Sequence, residues 1–285
     1  MACCNPLNAL PTAGAAERCS ATAAARPEGA PAPPPVVEVR IDRKAFADPA
    51  TGRERLILDR VAFDLLAAEF VALVGPSGCG KSTLLQIVAG LDLVFRGGIH
   101  WPGTRDGCHP SLGYCFQNPR LLPWLSLRAN IDLVLDNPAA QAERIDGLLR
   151  TMGLVEVGHF PANRLSVGMQ RRAALARAFA PAPRLLLMDE PFVSLDAPTA
   201  AQLRGLLLDL CAAQRPTVIF VTHDLREATL LADRVLFLCA PPSRVIGMAE
   251  VGIPRARRRD EPLVAARHAV LDALFQELYQ PLKPG

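Results

Sequence analysis

Lysine is almost absent from this chain. Of its 31 Lys and Arg residues, only Lys44, Lys81 and Lys283 are lysine. Long apolar runs are missing as well: the longest are strand-sized, and none can span a bilayer. The net charge is only +3 over 285 residues, which leaves no global case for nucleic-acid binding. The eight cysteines (3, 4, 19, 79, 108, 115, 211 and 239) fit no zinc spacing, and a chain of this size needs no disulfide staples. No apolar signal segment stands at the start. Residues 1–35 are rich in Ala and Pro and are expected to form a flexible tail that cannot bury a core. Cys3-Cys4 reads as part of that tail. The whole chain is 50% hydrophobic and 21% charged, which suits a well-cored globular protein expected in the cytoplasm.

The most informative segment is Gly75-Pro76-Ser77-Gly78-Cys79-Gly80-Lys81-Ser82-Thr83. It follows the apolar run Phe70–Val74, which reads as a buried strand. It precedes Leu84, Leu85, Ile87, Val88 and Leu91, whose spacing is helical. Strand, G-x-x-x-x-G-K-[ST], helix is the context of a phosphate-binding P-loop. Glycines let backbone N–H groups close on phosphate oxygens, and the helix N-terminus adds partial positive charge there. Lys81 can reach the terminal phosphates, and Ser82 can offer its hydroxyl to Mg²⁺. A chain that uses Arg almost everywhere keeps a compact ammonium here, where a planar guanidinium would crowd the backbone nest.

Around this loop the pattern is α/β. Val36–Ile41 and Leu56–Leu65 alternate apolar and polar residues like strands with one wet face, with a turn at residues 48–52 between them. Gly90 marks the end of the P-loop helix. Ser111–Phe116 reads as a strand. From about 118 to 183 the spacing turns helical (Ile145, Leu148, Leu149 and Met152, with Gly153 as a stop), like a subdomain inserted into the core. Strand and helix then alternate again: Leu185–Met188, Thr199–Gln214, Thr217–Val221, Asp224–Ala232 and Val235–Cys239. The expected fold class is an α/β P-loop NTPase core. Its mostly parallel sheet is flanked by helices, with an N-terminal antiparallel β part and an inserted α-helical subdomain. The core is expected over 36–254. Residues 255–285 are read as a basic extension, with Arg255, Arg257, Arg258 and Arg259 as a solvated cluster and a short amphipathic helix after it.

Two further clusters carry chemistry. Leu165-Ser166-Val167-Gly168-Met169 opens a helix with Ser166 as N-cap and Gly168 allowing close backbone approach, so it offers a second helix N-terminus to an anion. Alone, that is an ordinary cap. The strand Leu185–Met188, however, ends in Asp189-Glu190. A strand end beside a P-loop is where Mg²⁺ needs an acidic anchor, which Asp189 supplies, and where water needs a base, which Glu190 supplies. Another strand end carries Thr222-His223-Asp224, from which His223 can contact the γ-phosphate.

In this order the residues closely resemble the ATP-binding subunit of ABC transporters, from about Val36 to Val251. Gly75–Thr83 looks like Walker A, Gln117 like the Q-loop, Leu165–Met169 like the signature motif, and Leu185–Glu190 like Walker B. Ser194-Leu195-Asp196 looks like the D-loop, and His223 like the switch histidine. Phe46 stands about where the family's adenine-stacking aromatic lies. The resemblance implies ATP and Mg²⁺ as cofactors, with Gln117 near the metal. It also implies that Ser166, Gly168 and Asp196 serve the nucleotide of the opposite subunit in a head-to-tail dimer. Val167 departs from the family, whose signature has Gly at that place; a β-branched residue restricts the backbone to negative φ.

The wording Gln117-Asn118-Pro119-Arg120-Leu121-Leu122-Pro123-Trp124 and Asp189–Asp196 resembles the importer branch for nitrate, sulfonates, taurine and bicarbonate. That implies transmembrane permease subunits, a second ATP-binding subunit (a homodimer) and, indirectly, a solute-binding protein as partners. It also implies a peripheral position on the cytoplasmic face of the membrane, with no nucleic acid involved. Exposed Trp and Leu at 121–124 would suit a groove for the permease. A soluble ABC ATPase of repair, translation or assembly stays open as an alternative, although the chain has no coiled-coil arm and no basic stripe. A P-loop kinase or GTPase would need no signature, and no N-K-x-D element is present.

Overall fold

The computed structural model describes residues 34–48, 52–104 and 110–280. Most of the expected tail, residues 49–51 of the expected turn, and Cys3, Cys4, Cys19, Cys108 and Lys283 lie outside those residues.

Two sheets organise the chain. β1 (Val37–Ala47), β2 (Glu54–Leu65) and β4 (Arg96–His100) form an antiparallel sheet in the order β2-β1-β4. The larger sheet also contains β3 (Phe70–Val74), β5 (Leu112–Cys115), β6 (Leu185–Asp189), β7 (Thr217–Thr222), β8 (Arg234–Leu238) and β9 (Val245–Glu250). Its order is β5-β6-β7-β3-β8-β9, parallel except for the edge strand β9. The helices are α1 (Lys81–Val88), α2 (Leu127–Asp132), α3 (Ala142–Thr151), α4 (Val167–Phe179), α5 (Ala197–Gln214), α6 (Leu225–Leu231) and α7 (Glu261–Tyr279).

The sheet separates two cores. Phe70, Ala72 and Val74 of β3, Leu186 and Met188 of β6, and Val218 and Phe220 of β7 face Phe179, Leu203, Leu231 and Leu271 of the helical layer. The alternate residues Val71, Leu73, Leu187, Ile219 and Val221 face α1 and the antiparallel sheet. Strands buried on both faces read as unbroken apolar runs, as these do. Each fully buried side chain of this size contributes roughly 1.5–3 kcal/mol.

Two strands have no counterpart in the expectation. β4 contains two glycines and is largely exposed, and β9 is a half-exposed edge; neither has the apolar periodicity that marks a strand. β1 is longer than expected and runs on past Ile41 to include Phe46. The C-terminal helix is also not short: α7 has 19 residues, capped by Asp260. Of the arginines before it, Arg255, Arg257 and Arg259 are exposed as expected, but Arg258 is not. Arg258 is buried and pairs with Asp233 at 2.5 Å, and Arg255 reaches the same carboxylate. One acidic residue at the start of β8 thus clasps the extension to the core. Phe275 of α7 packs on Phe237 of β8, and the Tyr279 hydroxyl donates to the Leu238 carbonyl.

Candidate functional site

β3 ends at Val74, and the chain turns through Gly75–Gly80 into α1. Gly80 takes φ +95°, and a Cβ there would lie 2.7 Å from a methyl of Ile57, so only glycine fits. β2 therefore passes directly over the loop. Ser77 and Gly78 form its exposed crest, and Ser82 and Thr83 are half-buried at the start of α1. Lys81 is buried, and its ammonium donates to the Gly75 and Pro76 carbonyls at 2.8 and 2.9 Å. The lysine thus closes the loop into a ring of backbone groups. The Cys79 side chain points inward and is buried, while its amide donates to Pro76. Burial pushes the Cys79 thiol up, with the Lys81 charge opposing.

β7 lies beside β3 and β6 beside β7, and the C-terminal ends of these two strands deliver the carboxylates and the histidine. Asp189 is buried at the end of β6. Burial raises its carboxyl above the ordinary range; Ser82 and the Lys81 charge pull the other way, and the Glu190 charge adds to the rise. Its Oδ1 is buried without a hydrogen-bond partner. Glu190 sits at φ +43°, a left-handed conformation rare for a residue with a Cβ, and its N–H donates to Val221 on the neighbouring strand. That turn swings its carboxylate to His223, whose Nδ1 lies 3.3 Å from Glu190 Oε2. Thr222 holds this corner: its hydroxyl donates to Glu227 and accepts from the Asp224 amide.

Ser166 caps α4, its Oγ accepting the Met169 amide at 3.3 Å. Val167 is the first residue of that helix and is 58% exposed, so its backbone adopts negative φ without conflict. A Cβ on Gly168 would stand 3.2 Å from the Thr199 methyl, which brings the α4 N-terminus against the start of α5. Asp196 caps α5 at that point, accepting the Thr199 amide, and Thr199, through its side chain first and its amide second, keeps that carboxyl below the ordinary range. Phe46, at the end of β1, is 45% exposed with the Lys44 ammonium 4.4 Å from its ring centre. It pairs with Arg55, two residues before Ile57 on the strand that covers Gly80.

Gln117 follows β5 and is exposed. The loop after it is held by residues that sequence reasoning missed. Asn130 of α2 is fully buried; its amide donates to the Leu122, Leu125 and Ser126 carbonyls, and its Oδ1 accepts the Leu122 amide at 2.7 Å. Arg177 donates to the Pro119 and Arg120 carbonyls, and Arg171 to those of Gln117 and Val193. An Arg on a helix ordinarily reads as a solvated face, so no periodicity marks these two. The same loop leaves Trp124 71% exposed.

No group of three or more His, Cys, Asp or Glu side chains suited to a metal occurs among the described residues. No helix among them is long and apolar enough to cross a membrane.

Comparison with known proteins agrees with this geometry. The profile of the ABC transporter family matches residues 58–193. The aliphatic sulfonates import ATP-binding protein SsuB 2 of Burkholderia cenocepacia is 43% identical over 91% of this chain and 94% of its own. The bicarbonate transport ATP-binding protein CmpC of Synechocystis is 44% identical over 74% of this chain, which corresponds to 33% of CmpC. A solved structure described as the dimeric structure of MJ0796, a bacterial ABC transporter cassette, superposes with a TM-score of 0.66 at 26% identity, covering 76% of this chain and all of that one. A second describes the same cassette after hydrolysis, bound to ADP and Pi. The phosphate loop, the acidic strand end, the capped second helix and these relatives agree: the chain belongs to the ABC transporter ATP-binding family.

Proposed function

We propose that this protein is the ATP-hydrolysing subunit of an importer for a small anion of the sulfonate or bicarbonate type. The observation that carries the ATPase half of this reading is the convergence of Lys81, Asp189, Glu190 and His223 at the ends of three adjacent strands. The anion class rests on the relatives alone, because no residue of a cassette touches the cargo.

In this reading the backbone of Gly75–Thr83 and the Lys81 ammonium hold the ATP phosphates. Ser82 and Asp189 suit Mg²⁺. Both present oxygen, the donor that this hard cation prefers, and Asp189 Oδ1 is buried with a free lone pair. Gln117 joins that set from its loop. The metal, when bound, neutralises charge on the phosphate oxygens. Glu190 accepts a proton from the attacking water, and His223, in contact with Glu190, holds that carboxylate toward the γ-phosphate. Phe46 offers a ring face to the adenine. Ser166, Gly168 and Asp196 act on the nucleotide of a second copy, so that two helix N-termini from two chains grip one triphosphate. Loss of the γ-phosphate releases that closure.

The exposed Trp124 and its loop then present an apolar surface to the permease, with the Gln117 end of the loop at the ATP site. In this reading the subunit works on the cytoplasmic face of the membrane, with a solute-binding protein delivering the anion. Deleting the gene and measuring growth on an alkyl sulfonate as sole sulfur source, and separately under bicarbonate limitation, tests the assignment. Loss of one capacity, restored by the wild-type gene but not by Lys81→Ala, is expected. Normal growth in both tests overturns the anion class, and absence of ATP turnover by the permease complex overturns the ATPase reading.

A further inference from the structure

Arg171 is 7% exposed, yet it forms no ion pair with a carboxylate among the described residues. Burial is the leading influence on it and lowers its proton affinity, opposed only by the Cys115 sulfur. Its neighbours are backbone carbonyls: Gln117 O through one terminal nitrogen and Val193 O, at 3.3 Å, through the other. Burying a guanidinium without a counter-charge is costly, and carbonyl dipoles offset only part of that cost. A well-packed apolar side chain would fill the same place with less penalty.

What distinguishes the position is the set of segments it joins. Arg171 lies in α4, the helix capped by Ser166. Gln117 O belongs to the loop that leaves β5 toward Trp124. Val193 O belongs to the turn between Glu190 and Asp196, whose backbone is left-handed at both Glu190 and Ser194. Turns of that kind are held only where the surroundings over-determine them. The guanidinium fork is rigid and planar, and it can fix the spacing between two carbonyls as a flexible ammonium cannot. Arg177 repeats the contact further along α4, but only onto the first loop, at Pro119 and Arg120.

We infer that Arg171 is a positioning residue that makes the α4 helix, the Gln117 loop and the Glu190–Asp196 turn move as one body. The inference rests on the ATPase reading for its consequence, but its geometry does not. When the Gln117 loop shifts, the fork carries the displacement to the Ser166 end that serves the second subunit. It also carries it to the turn that sets the Glu190 carboxylate. Arg171 touches no nucleotide in this arrangement, so it acts on the rate and not on ATP binding.

The test compares Arg171→Lys and the apolar Arg171→Met with Arg177→Lys as a control, each in the complete permease complex. Amide exchange in ATP-free protein is expected to quicken at both 117–120 and 190–196 in the Arg171 variants, and at the Arg120 and Leu121 amides alone in Arg177→Lys. The Arg171 variants are expected to lose about 10- to 100-fold in kcat, with KM for ATP within about twofold of wild type. Arg171→Met keeps the test open if the lysine variant unfolds, because a packed apolar side chain removes the fork without leaving an unpaired charge. Exchange confined to α4, a kcat within twofold of wild type in both variants, or a raised KM at unchanged kcat would each overturn the inference. Failure of the wild-type complex to hydrolyse ATP would instead sink the function and leave the exchange result standing.

Discussion

His223 Nδ1 lies 3.3 Å from Glu190 Oε2, although the two residues are separated by the whole of α5 and β7. The register explains the meeting. Asp189 pairs with Val221 across two parallel strands, so the residues just past each strand end emerge side by side. The left-handed turn at Glu190 then brings the carboxylate onto the imidazole.

Glu190→Gln removes the proposed proton acceptor and keeps the shape. ATP turnover should fall by about 10²- to 10⁴-fold, with ATP retained and a dimer trapped. Phosphate release and size-exclusion chromatography with and without ATP check this. Turnover near the wild-type rate would refute the role of Glu190.

Val167 occupies the first turn of α4 with its side chain in solvent, so the departure from Gly costs the backbone nothing. Val167→Gly should therefore alter stability by only about 0.5 kcal/mol and turnover by about a factor of two. A larger gain in ATP-dependent dimerisation would show that the valine side chain hinders the facing subunit.

Asp233 anchors the C-terminal extension through Arg255 and Arg258 and accepts the Phe70 amide at 2.9 Å. Burial pushes its carboxyl up, but the hydrogen bonds from Arg255 and Phe70 and the two arginine charges outweigh that, leaving it below the ordinary range. A depressed carboxyl stabilises the fold above its unfolded value, about 3.9, and that contribution fades as pH falls through the lower folded value. Asp233→Asn should cost about 3 kcal/mol near neutral pH, because it leaves Arg258 buried and unpaired. Its deficit should shrink below about pH 4, where wild type loses the same interaction. Denaturant melts at neutral and acid pH provide the check; a constant deficit would contradict the assignment.

Cys79 stands inside the phosphate loop, where an accessible thiol would invite alkylation. Its side chain is buried, and burial pushes the thiol up. Maleimide should leave Cys79 unmodified in folded protein and label it after denaturation. Mass mapping at both stages decides this, and fast native labelling would contradict the loop geometry.

Much of the site was legible because its chemistry is local in sequence. Gly75–Thr83 needs glycines and one lysine in fixed order, and Asp189-Glu190 follows a run of four apolar residues that only a buried strand explains. β4 and β9 were not legible, since edge strands with glycine and half-exposed side chains carry no two-residue period. Asn130 was missed because a polar residue inside a helix signals nothing about how the segment leading into that helix folds back over it. Arg258 was misread for the converse reason: charge in sequence looks solvated, and its partner Asp233 lies 25 residues away along the chain.

By itself the sequence determined the family, the α/β order of elements, and the identity of the groups proposed to bind phosphate and activate water. Those depend on residue type and short spacing, which the chain displays directly. Tertiary structure alone decided which carbonyls Arg171 joins, how α7 is tied to the core, and that Glu190 meets His223. These depend on strand register and helix packing, which bring distant segments within hydrogen-bond reach and leave no mark on any one stretch of sequence.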